Sequence, residues 1–280
     1  MNIKDEFLKN IKEFTKELDI HTTDERGDWK IKGFIDVDES IYGLSYDSKI
    51  ISTIIEMQIY SKLREFALKH GYTLIPAEKQ NWYPDLSFVN IENPEIKFAL
   101  DIKTTYRLED YDGFCNGFTL GSHGEYFRNR ESSKNIQFPY SEYTSHICIG
   151  ALYSRDVELD SQKYEKEELN TIPSIIKDFT FFAEEKWKIS SDKGGSGNTA
   201  NIGSIQNIED IINGNGIFKN LGETVFDEYW INQGVLQVPN IKKKGTYKKL
   251  SKLSEFVNFK GLDENDINSP KPKRKTKRKS

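Results

Sequence analysis

The stretch Tyr83-Pro84-Asp85-Leu86-Ser87-Phe88-Val89, with Ala99-Leu100-Asp101-Ile102-Lys103 closing sixteen positions after its aspartate, decides the reading of this chain. Leu86 to Val89 is a strand-like run, Asn90 to Glu95 is a polar turn containing Pro94, and Ile96 to Ile102 returns as a second run. The pattern predicts a β-hairpin. Side chains alternate along a strand, so Asp101 and Lys103 share a face and Ile102 takes the other. Phe98, Leu100 and Ile102 make one face apolar. Ala99 stands with Asp101 and Lys103, and a solvated face has no need of it. Asp85 opens the first strand opposite that face, so two carboxylates and one ammonium converge. A hard divalent cation takes oxygen ligands of this kind, and a phosphodiester in its transition state is stabilised by such a cation and a nearby positive charge. The motif therefore predicts metal-dependent cleavage of a nucleic acid.

Composition bounds the rest. The 280 residues suffice for one large domain or two modest ones. The formal net charge is −4. Seven cations lie between Pro270 and Ser280: Lys271, Lys273, Arg274, Lys275, Lys277, Arg278 and Lys279. Without them the remainder carries −11. DNA binding on such a body needs a local basic cleft, and metal ions to offset carboxylates. Two cysteines, Cys115 and Cys148, make no disulfide framework and suit a reducing compartment. The start, Met1-Asn2-Ile3-Lys4-Asp5-Glu6, has no apolar signal region, and no apolar run reaches membrane-spanning length. A cytoplasmic protein without membrane partners is expected. His21, His70, His123 and His146 are dispersed and show no metal spacing.

Along the chain, residues 2 to 19 read as an amphipathic helix with Ile3, Phe7, Ile11, Phe14 and Leu18 on one stripe. Asp28 to Tyr46 is β-like and punctuated by glycine. A second helix runs from Asp47 or Ser48 to His70 and stops at Gly71. Glu56 sits inside its apolar run, with Ser52, Thr53 and Tyr60 on the same side. Tyr72 to Ile75 is a short strand. Residues 107 to 135 read as a loop-dominated stretch, Ile147 to Tyr153 as strand, and Trp187-Lys188-Ile189 as strand-like. Ile205 to Ile212 and Thr224 to Trp230 are helix-like. From Asp263 onward the composition predicts a basic, disordered tail. The alternation of strands and helices gives an α/β (α+β) class built on a central mixed sheet flanked by helices.

Gly195-Ser196-Gly197-Asn198-Thr199-Ala200 admits three readings. It fits the dinucleotide fingerprint G-x-G-x-x-G/A, which would make the chain a nucleotide-binding oxidoreductase. Ile202-Gly203-Ser204 interrupts the helix that this reading requires. No Gly-Lys-Ser/Thr follows, which excludes a Walker phosphate loop. The second reading is a solvated loop. The third is a loop that reads bases, since glycines allow close backbone approach, asparagine pairs bidentately with adenine, and threonine touches a thymine methyl.

Several ordered segments carry a resemblance. They include Ser48-Lys49-Ile50-Ile51-Ser52-Thr53-Ile54-Ile55-Glu56, Gln80-Asn81-Trp82-Tyr83-Pro84-Asp85, Asp101-Ile102-Lys103-Thr104-Thr105-Tyr106, Phe118-Thr119-Leu120-Gly121, the glycine loop through Ile205, and Gly214-Asn215-Gly216-Ile217-Phe218. In these the chain resembles the EcoRV-like type II restriction endonucleases of the PD-(D/E)xK nuclease superfamily. The resemblance implies a restriction-endonuclease-like fold, a homodimer, double-stranded DNA as partner and Mg2+ as cofactor, with no nucleotide cofactor. It implies Asp85 and Asp101 as metal ligands with the Ile102 carbonyl, Lys103 as the catalytic lysine, and Glu56 as a further catalytic and metal-associated carboxylate. Gly195, Ser196, Gly197, Asn198 and Thr199 match a major-groove recognition loop, and Gln80 and Asn81 a loop near the minor groove. Lys49, Thr104 and Thr105 are implied DNA contacts. The organisation implied is one domain over 1–262, with a dimerisation hairpin about 28–46, a catalytic core about 47–155 and a DNA-recognition part about 156–262, then the tail 263–280. The near-identity of the loop implies the palindrome GATATC with a blunt central cut. Ala200, Trp82 and Lys79 depart from the family pattern. A non-catalytic, sequence-specific DNA-binding protein is the alternative that would lack the complete acid pair.

Overall fold

The helix expected after Asp47 forms because its start is capped. The Asp47 carboxylate accepts from the backbone N–H of Lys49 at 2.8 Å and of Ile50 at 3.1 Å, which satisfies two of the amides that a helix start leaves orphaned. In the computed structural model, which describes residues 2–156, 162–195, 200–240, 243 and 245–275, the elements follow in chain order. They are α1 (Ile3–Thr15), α2 (Leu18–Thr22), β1 (Gly33–Ile35), β2 (Ile41–Gly43), α3 (Ser48–Lys69), β3 (Tyr72–Pro76), β4 (Leu86–Asn90) and β5 (Lys97–Tyr106). There follow β6 (Thr119–Ser122), α4 (Glu125–Arg128), β7 (Tyr143–Arg155), β8 (Lys163–Tyr164), β9 (Ile176–Glu185), α5 (Lys186–Ile189), β10 (Ser190–Gly194) and β11 (Asn201–Ser204). The chain continues through α6 (Ile208–Ile212), α7 (Glu223–Asn232), β12 (Gln237–Pro239), β13 (Tyr247–Lys249) and α8 (Leu253–Lys260).

The central sheet has the order β3-β4-β5-β7-β9. It is mixed: β3, β4 and β5 pair antiparallel, β5 and β7 run parallel, and β9 returns antiparallel to β7. The predicted hairpin is β4–β5, with Leu86 opposite Leu100 and Phe88 opposite Phe98. Its turn is held by the Asn90 side chain, which accepts from the amides of Glu92 and Asn93.

The alternation along β5 divides two cores. Phe98, Leu100 and Ile102 pack with Phe7, Ile11, Ile51, Ile55 and Leu63 of α1 and α3. On the other face, Ala99 packs in a second core with Cys148, Phe182, Phe226, Trp230 and Phe256. Gly150, at the centre of β7, has no alternative in this packing, because a Cβ there would lie 1.9 Å from the Phe182 ring. Three small sheets lie outside, β1-β2-β8, β10-β11-β6 and the two-stranded β12-β13. Cys115 and Cys148 are free and buried, and no helix of the described residues is long and apolar enough to cross a membrane.

Several expectations are corrected. The helix expected over residues 2–19 breaks at Lys16–Glu17, whose amides bond back three residues to Glu13 and Phe14. That tighter turn redirects the chain and lets Leu18 enter the core. Trp187-Lys188-Ile189 belongs to the helical turn α5, not to a strand, and β10 starts only at Ser190. The loop-dominated stretch 107–135 carries two short elements that its composition does not mark, β6 and α4. The tail is ordered against the body at least as far as Lys273. Lys277, Arg278 and Lys279 lie outside the described residues.

Phe7 stacks on Phe98 at 3.9 Å between ring centroids and meets Phe66, Tyr72 and Phe88 edge-on. Phe7→Ala is expected to lower stability by about 3–5 kcal/mol. Urea denaturation followed by tyrosine and tryptophan fluorescence measures it, and an unmoved midpoint would show that α1 is not integral to the core.

Candidate active site

Strand lengths create the site. β4 begins at Leu86, paired with Leu100, so β5 loses its neighbour on that side from Asp101 onward. The vacated edge is taken by Asp85, whose carboxylate accepts the backbone N–H of Ile102 at 2.7 Å. Asp85 is itself held on both sides. Its carbonyl accepts from the Ala77 amide, while the backbone of Tyr83 just before it bonds to Asn135 and Gln137. The Lys103 ammonium lies 3.2 Å from Asp85 Oδ2 and 3.1 Å from Asp101 Oδ2. Asp85, Asp101 and Lys103 thus come together, and the Ile102 carbonyl leaves the strand on the same open edge as its amide.

The electrostatics follow from crowding. Asp101 is buried, whereas the Asp85 side chain keeps 37 % exposure. Burial of its carboxylate, and then the charge of Asp101, push Asp85 up to about 6, against the pull of Lys103 and the Ile102 amide. Burial alone would lower Lys103, but the two carboxylates outweigh it and hold its pKa well above the ordinary lysine value. Two acids share one ammonium, so the cluster is one positive charge short. An all-oxygen, anionic donor set with a charge deficit fits a hard divalent cation. Among the described residues no three His, Cys, Asp or Glu side chains form a ready-made metal cage. Glu56 stands on α3, its carboxylate accepting from Ser52 Oγ at 2.9 Å, and adds to the negative charge felt by Asp85.

The other sequence-predicted residues are distributed around this centre. Gln80 and Asn81 are exposed in the turn before Tyr83, and Lys49 is exposed in the first turn of α3. Thr104 is half-buried, and Thr105 is buried with its hydroxyl donating to the Gly117 carbonyl at 2.9 Å. Gly195 follows the last residue of β10 and lies beside Thr119 of β6, where a Cβ would fall 2.3 Å from Thr119 Cγ2, so a larger residue here would have to displace that side chain. Ser196, Gly197, Asn198 and Thr199 lie outside the described residues. The strands on either side of them, β10 and β11, pair with each other. The dinucleotide-fold alternative needs a helix immediately after this loop and meets β11 instead.

One group was missed in the sequence. Lys186 is 4 % exposed, and its ammonium finds no hydrogen-bond partner among the described residues. It lies over the rings of Tyr83 at 4.9 Å, Phe127 at 5.3 Å and Tyr140 at 5.7 Å. The Tyr83 hydroxyl in turn lies 2.9 Å from His146 Nδ1. In Glu184-Glu185-Lys186-Trp187-Lys188 the lysine reads as part of a solvated charge run. Only its place at the end of β9, facing the second core, identifies it as buried.

The mixed sheet with an acid pair and a lysine at a vacated strand edge defines a nuclease of the restriction-endonuclease class. A family model described as restriction endonuclease EcoRV matches residues 25–261. The type II restriction enzyme EcoRV of Escherichia coli is 38 % identical over 212 residues, which cover 75 % of this chain and 84 % of that enzyme. The chain belongs to the EcoRV restriction endonuclease family.

Lys186 makes stability depend on pH. Burial draws it down to about 8, with Asp101 and Asp227 pulling the other way, against 10.5 for an ordinary lysine. Between these values the unfolded chain holds a proton that the folded chain has released, so stability attributable to this group rises with pH across that window. Below pH 8 both states hold the proton and the burial penalty stands. Relative to Lys186→Met, the parent should gain stability on the order of a few kcal/mol between pH 7.5 and 10. Parallel stability profiles from denaturant titrations of the two proteins would contradict this.

Proposed function

We propose that this chain is a homodimeric, Mg2+-dependent endonuclease that hydrolyses double-stranded DNA at GATATC with a blunt central cut. The observation that carries the reading is the convergence of Asp85 and Asp101 on Lys103, with the Ile102 amide fixing Asp85. Asp85, Asp101 and the Ile102 carbonyl would hold Mg2+, and Glu56 adds negative charge that attracts the same cation. Bound Mg2+ supplies Lewis acidity at the scissile phosphate and lowers the pKa of a water. Lys103, kept as the ammonium between two acids, offsets the negative charge that grows on the phosphate. The Ile102 amide and the backbone bonds of Tyr83 and Asp85 keep the carboxylates aligned before DNA arrives. A purely DNA-binding protein would have no use for an acid pair with its lysine in such an arrangement.

Dimerisation is supported by β1 and β2, which carry exposed apolar side chains where a soluble surface has little need of them: Phe34, Ile35 and Tyr42, with Val37 between the strands. A two-fold dimer reads a palindrome, one loop per half-site. The loop sequence Gly195 to Thr199 supports GATATC, with Asn198 reading the adenine and guanine of each half-site through the major groove. The central TA step, which unstacks easily, would be selected by deformability. Gln80, Asn81, Lys49 and Thr104 complete the DNA-contacting set, whereas Thr105, expected with them, is buried with its hydroxyl on the Gly117 carbonyl and supports the strand from behind. The free thiols suit action in the cytoplasm.

Digestion of a plasmid of known sequence with Mg2+, followed by sequencing of the ends, tests the reading. Blunt ends at the centre of GATATC are expected. Asp85→Ala, Asp101→Ala and Lys103→Ala should each slow cleavage on the order of 10²-fold or more with the fold retained. Staggered ends, cuts at sites lacking GATATC, or a Lys103→Ala protein at the parent's rate would overturn it.

A further inference from the structure

The basic C-terminal segment is built into the protein. Ile267 packs on the second core. The Asn268 amide donates to the Ile217 carbonyl at 3.1 Å, and its side-chain amide to the carbonyls of Asn215 at 2.6 Å and Gly216 at 3.2 Å. The Lys271 amide donates to Asp210 Oδ2 at 2.8 Å, while its ammonium pairs with Glu209, so this residue is fixed to α6 twice. Lys273 then lies over the Tyr111 ring at 4.2 Å. This strap crosses from α8 over α6 to the loop after β5.

Its position matters more than its charge. Pro270, Lys271 and Lys273 line the same hollow as Gly194 and Gly195, where the chain leaves β10 for the glycine loop. Gly117 also lines it, and its carbonyl holds Thr105. The strap therefore runs beside the root of the loop expected to enter DNA. Arg274 and Lys275 follow, both exposed, and Lys277, Arg278 and Lys279 come after them in sequence. On a body whose charge without the seven C-terminal cations is −11, a basic segment fixed beside the glycine loop offsets local repulsion of a polyanion.

We propose that the C-terminal strap is a second DNA-contacting element. Anchored by Asn268 on the carbonyls of residues 215–217 and by Lys271 on α6, it delivers Lys273, Arg274 and Lys275 to phosphates that flank the recognised sequence. The inference rests on the endonuclease reading above and adds to it a footprint longer than the six base pairs read by the loops.

The test compares the full-length parent with K273Q/R274Q/K275Q and with Asp210→Ala, which removes the acceptor of the Lys271 amide. Asn268→Ala serves as a second undocking change if Asp210→Ala does not fold. Binding is read by fluorescence anisotropy with Ca2+ in place of Mg2+ to neutralise the carboxylates, over a salt series, on a 10-base-pair and a 30-base-pair duplex that both contain GATATC. The parent should bind the longer duplex more tightly and with a steeper salt dependence. The triple variant should lose that advantage, with a log–log slope shallower by about 5 on the longer duplex, since the dimer loses six cations. Its binding to the short duplex and its cut position should be unchanged. The undocked variant should fall between the two. A triple variant that matches the parent on both duplexes overturns the strap's role, and an undocked variant that matches the parent overturns the anchoring. A parent that binds neither duplex removes the endonuclease reading itself, and the strap inference with it.

Discussion

Two carboxylates held against one ammonium, at the edge where a strand runs out, are the constraint on which the rest of this structure depends. Water would separate Asp85, Asp101 and Lys103. Here β4 stops at Leu86 and leaves one edge of β5 open, and the Ile102 amide, with no ladder partner left, takes Asp85 as its acceptor. Burying like charges this close is costly unless they are paired. One lysine offsets only part of that cost, which is why burial and Asp101 raise Asp85 to about 6. A fold that keeps such a deficit is poised for a cation and for a phosphate beside it.

The sheet makes that arrangement rigid. One face of β5 is packed by α1 and α3, and its other face lies in the second core with Phe182, Trp230 and Phe256. Helix α1 is tied to the end of β9 by ion pairs, Lys4 to Glu185 and Lys12 to Glu184, and those carboxylates sit beside Lys186 in the chain. Helix α1 precedes residues 25–261, over which the family model matches, yet Phe7 stacks directly on Phe98 of the site-bearing strand. The N-terminal segment is therefore part of the platform and not an appendage to it.

The site itself was legible because strand alternation is a local rule. Asp101 and Lys103 had to share a face, Ala99 indicated that this face was packed, and the Pro-Asp turn placed Asp85 opposite. The capped helix from Asp47 and the turn at Asn90 were legible for the same reason. What escaped depended on tertiary partners. Lys186 looks like any surface lysine until β9 turns it beneath Tyr83. Trp187 to Ile189 has strand composition but makes one helical turn between β9 and β10. The tail has a disordered composition, and its docking arises from acceptors far away in sequence, Asp210 and the carbonyls of residues 215–217. Leu18 was placed on the right stripe, but the break at Lys16 was not visible in an uninterrupted helical period.

The central claim is that Asp85 and Asp101 form a cation site held open by Lys103 and the Ile102 amide. Isothermal titration of Mg2+ into the full-length protein, with DNA absent, tests it without reference to turnover. The account predicts a saturable binding isotherm for the parent that disappears in Asp101→Asn, with the circular dichroism of the two proteins superimposable. An isotherm unchanged by Asp101→Asn would contradict it.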